Sequence, residues 1–484
     1  MTVPEATGGC PVDHSGDTAT APASAGTVPA EPAAKAPAVP ASTLTGPKKP
    51  VLLQMLSYWR RPAAFMEECK ARYGSRFVIR VSIPPRPLYV LSDAEDVKEM
   101  FLAPDDVIHT GLGSARLENH IGHSGLAWLD EGDHKARRKM TVQCVHGKAM
   151  RRIESAISDL AEREIAAWPQ NESISLYPLI HHLTIRVIRE VIFGEVTPKH
   201  SEELLDVLER MTDFNYKITS TLMIFRMKPR TVRLLKAWRP SGLKEFLKLR
   251  ERADELIAEA IEERRNIGKL GDDLISVLLR TTYEDGSPLS ATELRDEIMT
   301  MFLAGTETTS AALAWAFEYL SRESEARDRV LDELSTGGDA YLTATIQEVL
   351  RLRPPVPQII LRQVMKPIEI GGVRYEPGTL LWASAYLMHR DPALYSDPYA
   401  FRPERFLGSK PGMFTWIPYG GGRIRCLGNV VAETEMKAVL RGVLSRYEID
   451  RADPRPEGVR THLITPLPSN GARVRLRAKA PSLV

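Results

Sequence analysis

Residues 419–428 read YGGGRIRCLG and set Cys426 between Arg425 and Leu427, behind three consecutive glycines, Gly420 to Gly422. Downstream, Met436, Val439, Leu440, Val443 and Leu444 are spaced as one face of a helix, so Cys426 lies near that helix's N-terminus. Unpaired backbone N–H groups and the positive end of the helix dipole favour thiolate there, the form of cysteine that binds a metal. The glycines let backbone approach something flat and bulky without a side-chain clash, and Gly428 extends that freedom past the sulfur. Two blander readings fit the same residues: a buried cysteine beside a glycine turn, or an anion cradle ahead of a helix. Against the cradle, GxxxxGK[ST] is absent, and the nearest dinucleotide-like fragment, GLGSAR at 111–116, carries Arg116 where the third glycine belongs. Ligation of a metal by a single thiolate is the chemistry the segment suits best, and haem is the cofactor that uses it.

A second constellation is AGTETT, Ala304 to Thr309, inside the longest helical pattern, from Thr292 to about Arg322. Glycine costs about 1 kcal/mol relative to alanine in a helix interior, and β-branched threonines are stiff there, so the interruption needs a justification. Ala304 and Thr308 share a face, and the Thr308 hydroxyl can turn to the Ala304 carbonyl, opening a groove beside the acid Glu307. Such a groove suits a diatomic ligand and a proton relay, although a tolerated polar patch would read the same way. Glu348 and Arg351 in EVLR stand at i and i+3, by themselves an ordinary pair worth about 0.2 to 0.5 kcal/mol. FRPERF follows at 401–406 with Arg405, IILRQV at 359–364 with Arg362, and DEGDHKARRKM at 130–140 sets His134 and Arg138 four apart on one helix face.

The elements that must carry these residues are mostly helical. RFVIRVS and PLYVLS, separated by IPPR, read as a hairpin; SDAEDVKEMF opens a helix that Ser92 or Asp93 can cap; strands return in KPIEIGGVRYEPGTLLWAS. The expected fold class is mainly α with a small β region. Residues 1–48 contain no Phe, Trp, Tyr or Ile and are rich in Ala and Pro, which predicts a disordered tail; no later linker divides residues 49–484, which predicts one large domain. With 64 basic against 62 acidic residues the net charge is +2, which argues against a global attraction to nucleic acid or anionic lipid. Four cysteines without a CxxC exclude a disulfide framework and a zinc ribbon and point to a reducing cytoplasm. No run of about 18 to 20 apolar residues is present to span a membrane.

Taken together, these segments resemble the cytochrome P-450 family of the soluble bacterial type, from about Pro50 to the C-terminus. The family's thiolate loop reads roughly F-x-x-G-x-[RH]-x-C-x-G: Gly422, Cys426 and Gly428 match in register, Tyr419 stands for Phe, and Ile424 replaces the propionate-binding Arg or His, a role left to Arg423 or Arg425. Its oxygen-binding helix, A-G-x-[DE]-T-T, is matched in full. The resemblance implies haem b with Cys426 as axial ligand of the iron, and a loop around it that includes Tyr419 and Gly428. Propionate contacts would come from His134, Arg138 and Arg362, and Ala304 and Gly305 would leave room above the iron. Thr308 and Glu307 would hold oxygen and relay protons, and Glu348, Arg351 and Arg405 would form a structural charge triad.

The implied activity is insertion of one oxygen atom from O2 into a small apolar or amphipathic molecule. Electrons would come from a ferredoxin or flavodoxin with its NAD(P)H-dependent reductase, for which Lys135, Arg137 and Lys139 offer a basic docking surface. Peroxide-using or isomerising thiolate-haem chemistry, and a haem-based gas sensor, are the alternatives. Substrate contacts in the family come from segments corresponding here to 104–126 and 211–238.

Overall fold

The computed structural model describes residues 37–82, 85–111, 121–213, 241–268, 270–462 and 464–479. Of the tail expected over 1–48, residues 1–36 lie outside these ranges. The boundary expected at 48 needs correction, because the folded unit begins at Ala38. There β1 (Val39–Pro40) pairs in parallel with β8 (Val373–Tyr375), the Val39 N–H donating to the Gly372 carbonyl at 3.0 Å. A backbone bond of this kind leaves no mark on composition.

Along the chain α1 (Val51–Arg60) and α2 (Pro62–Tyr73) precede the antiparallel pair β2 (Arg76–Ile79) and β3 (Leu88–Leu91), the expected hairpin. Next come α3 (Ala94–Leu102), β4 (Ile108–His109), α4 (Glu131–Thr141), α5 (Gly147–Ala166), β5 (Ser173–Ser175), α6 (Leu176–Phe193) and α7 (Ser201–Asp213). Then α8 (Ser241–Ile267), α9 (Leu274–Arg280), α10 (Ala291–Arg322), α11 (Ser324–Ser335) and α12 (Ala340–Leu352) lead to β6 (Arg362–Val364), β7 (Ile368–Ile370), β8 and β9 (Leu380–Ala383). The chain closes with α13 (Asn429–Arg446), β10 (Tyr447–Arg451), the hairpin β11 (Val459–His462) and β12 (Thr465–Pro468), and β13 (Arg473–Ala478). The largest sheet runs β2-β3-β9-β6-β4, with β1-β8-β7 and β10-β13-β5 as smaller ones. Among the described residues no helix is long and apolar enough to cross a membrane.

Capping residues account for where the key helices begin. Asp93, not Ser92, caps α3 by accepting from the N–H groups of Glu95 and Asp96; Ser92 bonds back to the Ser75 carbonyl. The 32-residue α10 starts with a reciprocal box in which Ser290 and Glu293 each satisfy the other's backbone N–H. It crosses the middle of the main core, burying Phe302, Leu313, Trp315, Phe317 and Leu320, and packs most extensively on α6. At Gly305 the approach is so close that a Cβ would stand 2.2 Å from Ile188 Cδ1 of α6.

One buried charge cluster ties α4 to α10. Arg137 donates to Glu293 at 2.6 Å, Glu297 at 3.4 Å, Tyr283 at 2.8 Å and the Ser124 carbonyl at 3.3 Å. This burial removes Arg137 from the basic surface expected of it: Lys135 and Lys139, four apart, point outward, and Arg137 lies on the opposite, core-facing side. The cluster extends into the segment ahead of α4. Asp296 accepts from the N–H groups of His123 and Ser124, Glu297 from that of Leu126, and Gly122 at φ 77° passes so close to the Asp296 carboxylate that no Cβ would fit. Breaking a buried pair strands the remaining charge, at about 3 to 5 kcal/mol. Arg137→Met should lose stability of that order, and Arg137→Met with Glu297→Gln should recover part of it. Urea unfolding at neutral pH checks this, and a single variant within about 1 kcal/mol of the parent would refute the structural role.

Candidate functional site

The segment 419–428 closes as a tight loop ahead of α13. The Cys426 N–H donates to the Tyr419 carbonyl at 2.9 Å, and Gly422–Ile424 form a single 3-10 turn. Gly420 and Gly422 take φ of 68° and 66°, a region that favours glycine. A Cβ on Gly421 would lie 2.4 Å from the Phe101 ring, and one on Gly422 2.3 Å from the Phe101 carbonyl oxygen. Gly421 and Gly422 therefore let the loop seat on the end of α3, which corrects the expectation that they spare room for a flat partner. Gly428 is different: a Cβ there meets nothing within 4 Å. Tyr419 packs edge-on against Trp416 with centroids 5.8 Å apart, and Trp416 is anchored by its Nε1–H to the Gln347 carbonyl at 3.1 Å. The buried Tyr419 hydroxyl approaches Glu433 without reaching hydrogen-bond geometry.

Cys426 carries accessible surface while protein surrounds it at longer range. Burial raises its thiol pKa, opposed by the Gly428 N–H and the charges of Arg138 and Arg425. The helix-terminus effect expected from the sequence is present but outweighed. Among the described residues no group of three or more His, Cys, Asp or Glu could hold a metal ion.

Basic side chains gather beside the loop. Arg362, His134, Arg423 and Ile424 line one small cavity together with Asp105 and Asp130. Arg362 is 5% exposed, forms no ion pair among the described residues, leaves its Nε without a partner, and rests 4.8 Å from the centroid of the Phe101 ring. Burial, then the neighbouring Arg423 charge, pushes its pKa down to about 9. A buried cation so placed calls for an anion. Burial and the Arg138 charge likewise lower the pKa of His134. Arg138 donates to the Arg425 carbonyl at 2.6 Å, and Arg423 pairs with Asp105. At the position left open by Ile424, it is thus Arg423 that shares the cavity with Arg362 and His134. A thiol on one loop, and a buried guanidinium in the cavity that the same loop lines through Arg423 and Ile424, fit a group with a metal at its centre and carboxylates at its edge, as haem has.

On α10 the hydrogen bond read from the sequence is present. The Thr308 hydroxyl donates to the Ala304 carbonyl at 2.8 Å, and Ala304 presents accessible surface midway along a helix whose neighbours Phe302, Thr306 and Glu307 are buried. Gly305 does not share this role; it faces Ile188 and serves helix packing. Glu307 turns away from Thr308: its Oε2 lies 2.7 Å from His462 Nδ1 and accepts from the Tyr177 hydroxyl at 3.3 Å. Burial works to raise its pKa, but His462, His181 and Tyr177 hold it below the ordinary glutamate value. Nothing in the spacing around His462 signalled this pairing, which joins residues 155 positions apart.

Beneath the thiol loop, Glu348 and Arg351 are both completely buried and meet at 2.7 and 2.8 Å. Arg351 also donates to the carbonyls of His389 and Pro398, each at 2.7 Å, and of Ala400 at 3.1 Å, which satisfies all five of its N–H donors. Arg405 reaches Glu348 at 3.1 Å and the Ser396 carbonyl at 2.6 Å. His389, unmarked in the sequence, bridges this cluster to the loop: Nδ1 lies 3.1 Å from the Arg351 carbonyl, and Nε2 accepts from the Ile417 N–H at 2.9 Å. The expected substrate segments fall largely on 112–120 and 214–240, outside the described residues.

The fold is that of a haem-thiolate oxygenase. The chain matches the family described as Cytochrome P-450 over residues 45–470 and belongs to it. A Mycobacterium tuberculosis protein named as cytochrome P-450 137 is 34% identical over 390 residues, 80% of each chain. A Mycobacterium bovis protein named as cytochrome P-450 135B1 is 32% identical over 434 residues, 88% of this chain and 89% of its own. Among solved structures, the retinoic acid bound cyanobacterial CYP120A1 has a TM-score of 0.77 at 22% identity, covering 92% of this chain and 100% of that one. The haem domain of cytochrome P450DA has a TM-score of 0.75 at 21% identity, covering 90% and 98%. Identities this low speak for the fold alone, mainly α with a small β region. Family membership makes the chain a monooxygenase oxidoreductase that carries iron protoporphyrin IX and uses O2, an organic substrate and a redox partner.

Burial depresses the His389 pKa to about 3, against about 6.5 for a free imidazole, so the ring is neutral in the fold. The unfolded chain binds the extra proton between those values, so this group costs no stability above about pH 6.5 and up to about 1.4 kcal/mol per pH unit as pH falls toward 3. His389→Gln should be less stable at pH 7 yet lose stability less steeply between pH 6.5 and 4. Parallel slopes for the two proteins in pH-resolved unfolding would contradict the assignment.

Proposed function

We propose that this chain inserts one oxygen atom from O2 into a small apolar or amphipathic organic molecule, by hydroxylation or epoxidation, with electrons from a separate ferredoxin or flavodoxin and its NAD(P)H-dependent reductase. The observation that carries the reading is the hydroxyl of Thr308 bonded to the Ala304 carbonyl beside an ionised, buried Glu307. An alcohol and an acid at successive positions of one helix are what proton delivery to bound oxygen requires, and a gas sensor or an isomerase has no use for the pair.

Cys426 is the residue proposed to hold the iron, with Tyr419 and Gly428 in the loop around it; Arg362, His134, Arg138 and Arg423 would pair with the propionates. When bound, thiolate-ligated haem supplies reductive cleavage of the O–O bond and transfer of one oxygen atom. Glu348, Arg351 and Arg405 act at one remove, fixing the backbone that carries the loop. Thr308 holds a donor over the groove; Ala304 keeps the groove open by having no side chain beyond Cβ. Glu307 relays the proton that Thr308 passes on. A reducing cytoplasm, where NAD(P)H is available, suits the buried unpaired thiols of Cys69 and Cys144.

Thr308→Ala should keep its haem, its carbon monoxide difference band and its ligand-induced spin shifts, while diverting reducing equivalents to peroxide. Product equal to reductant consumed in that variant would overturn the assignment. Lys135 and Lys139, exposed on α4 near the thiol loop, are proposed to receive an acidic carrier. Neutralising both should slow reduction at low ionic strength and have little effect at high salt, as stopped-flow measurements would read; equal rates at every ionic strength would exclude that surface.

A further inference from the structure

Glu307 is oriented for storage, not for delivery. Its carboxylate lies in a pocket closed by three other elements: Tyr177 and His181 of α6, His462 and Arg460 of β11, and the Thr212 carbonyl near the end of α7. The Tyr177 and His181 rings stack with centroids 5.5 Å apart, the Arg460 guanidinium lies 5.8 Å from the Tyr177 centroid, and His181 Nδ1 is 3.2 Å from the Ser310 hydroxyl. His462 is 2% exposed, with Nδ1 2.7 Å from the Glu307 carboxylate and Nε2 3.2 Å from the Thr212 carbonyl. A carbonyl only accepts, so Nε2 carries a proton in that bond, and facing an ionised carboxylate Nδ1 carries one too. Both bonds together describe a buried imidazolium–carboxylate pair, with the charge-stabilised Glu307 as its anion.

A bare carboxylate cannot swing from this pocket to Thr308 without leaving two unpaired buried charges, each costing several kcal/mol. Moving the proton first removes that obstacle. We infer that His462 is the positioning residue of proton delivery: its Nδ1–H passes to Glu307 Oε2, and the neutral acid then rotates to the Thr308 hydroxyl while the neutral ring stays on the Thr212 carbonyl. The pair is electrically neutral before and after the transfer. Once Glu307 has donated and returned as carboxylate, a solvent proton restores Nδ1–H. This inference rests on the reading of Glu307 as the proton source for Thr308.

The test has two arms. In the first, nitrogen-15 histidine spectra of the ferrous carbon monoxide complex of the full chain are recorded across pH, with Glu307→Gln identifying the His462 ring by its shift. Two protonated ring nitrogens at pH 7 in the parent and one in Glu307→Gln are expected; a singly protonated His462 in the parent would overturn the inference without any His462 variant having to fold. In the second, His462→Gln and Glu307→Gln are driven by a ferredoxin and its reductase, and O2 consumption is followed in H2O and D2O. Both should hold haem and accept the first electron at the parental rate. Both should consume O2 at least about tenfold more slowly, with a larger solvent isotope effect and a flattened pH profile. If Glu307→Gln behaves as the parent, the reading of Glu307 itself fails; if Glu307→Gln is impaired and His462→Gln is not, only the role of His462 falls.

Discussion

A guanidinium with no exposed atom is the constraint around which the thiol side of this protein is arranged. Removing Arg351 and Glu348 from water costs several kcal/mol per ion, and their mutual attraction repays this only if every remaining donor finds an acceptor. The acceptors come from far along the chain: the carbonyls of His389, Pro398 and Ala400 all converge on Arg351. The path from 389 to 405 is thereby dictated by where those carbonyls must stand. His389 carries the constraint onward to Ile417, and Trp416 and Tyr419 carry it to the cysteine loop. Such a pair contributes little net stability; what it supplies is uniqueness of path, and with it the placement of one sulfur.

The opposite side of the site is built on a different principle. On α10 three hydroxyls, of Thr306, Thr308 and Ser310, bond to carbonyls four residues back, so a helix crossing an apolar core keeps a polar seam without stranding it. Two arginines show how the same side chain serves opposite ends. Arg137, paired with Glu293 and Glu297 and bonded to Tyr283 and the Ser124 carbonyl, ties two helices together. Arg362, nearly as buried, has no ion-pair partner among the described residues.

How much of this could be read in advance follows from how local each feature is. The Cys426 loop ahead of a helix, the Thr308–Ala304 bond, and Glu348 beside Arg351 all depend on residues within a turn or two, and the sequence pattern carries them. The roles of Gly305, Gly421 and Gly422 were misread because the space they save belongs to Ile188 and Phe101, which only tertiary packing brings near. Arg137 was assigned to the surface because α4 is so charged that no apolar stripe marks which face is inside. His389 and His462 each meet partners at least 28 positions away in sequence along the bonds that define them, and a lone histidine gives no hint of its contacts. The small strand at Val39 escaped for a related reason: it is held by main-chain atoms in a segment whose composition describes only side chains.

Asp296 and Glu297 grip residues 123, 124 and 126 by their amide hydrogens and ask nothing of the side chains those residues bear. That stretch falls within residues 104–126, where the family resemblance expects substrate contacts, and its side chains can change without loss of the bonds that set its route. Only Gly122 and Gly125, pressed against α10, lack this latitude. A segment anchored through its backbone keeps its path whatever side chains it carries, so shape and surface chemistry are set by separate atoms.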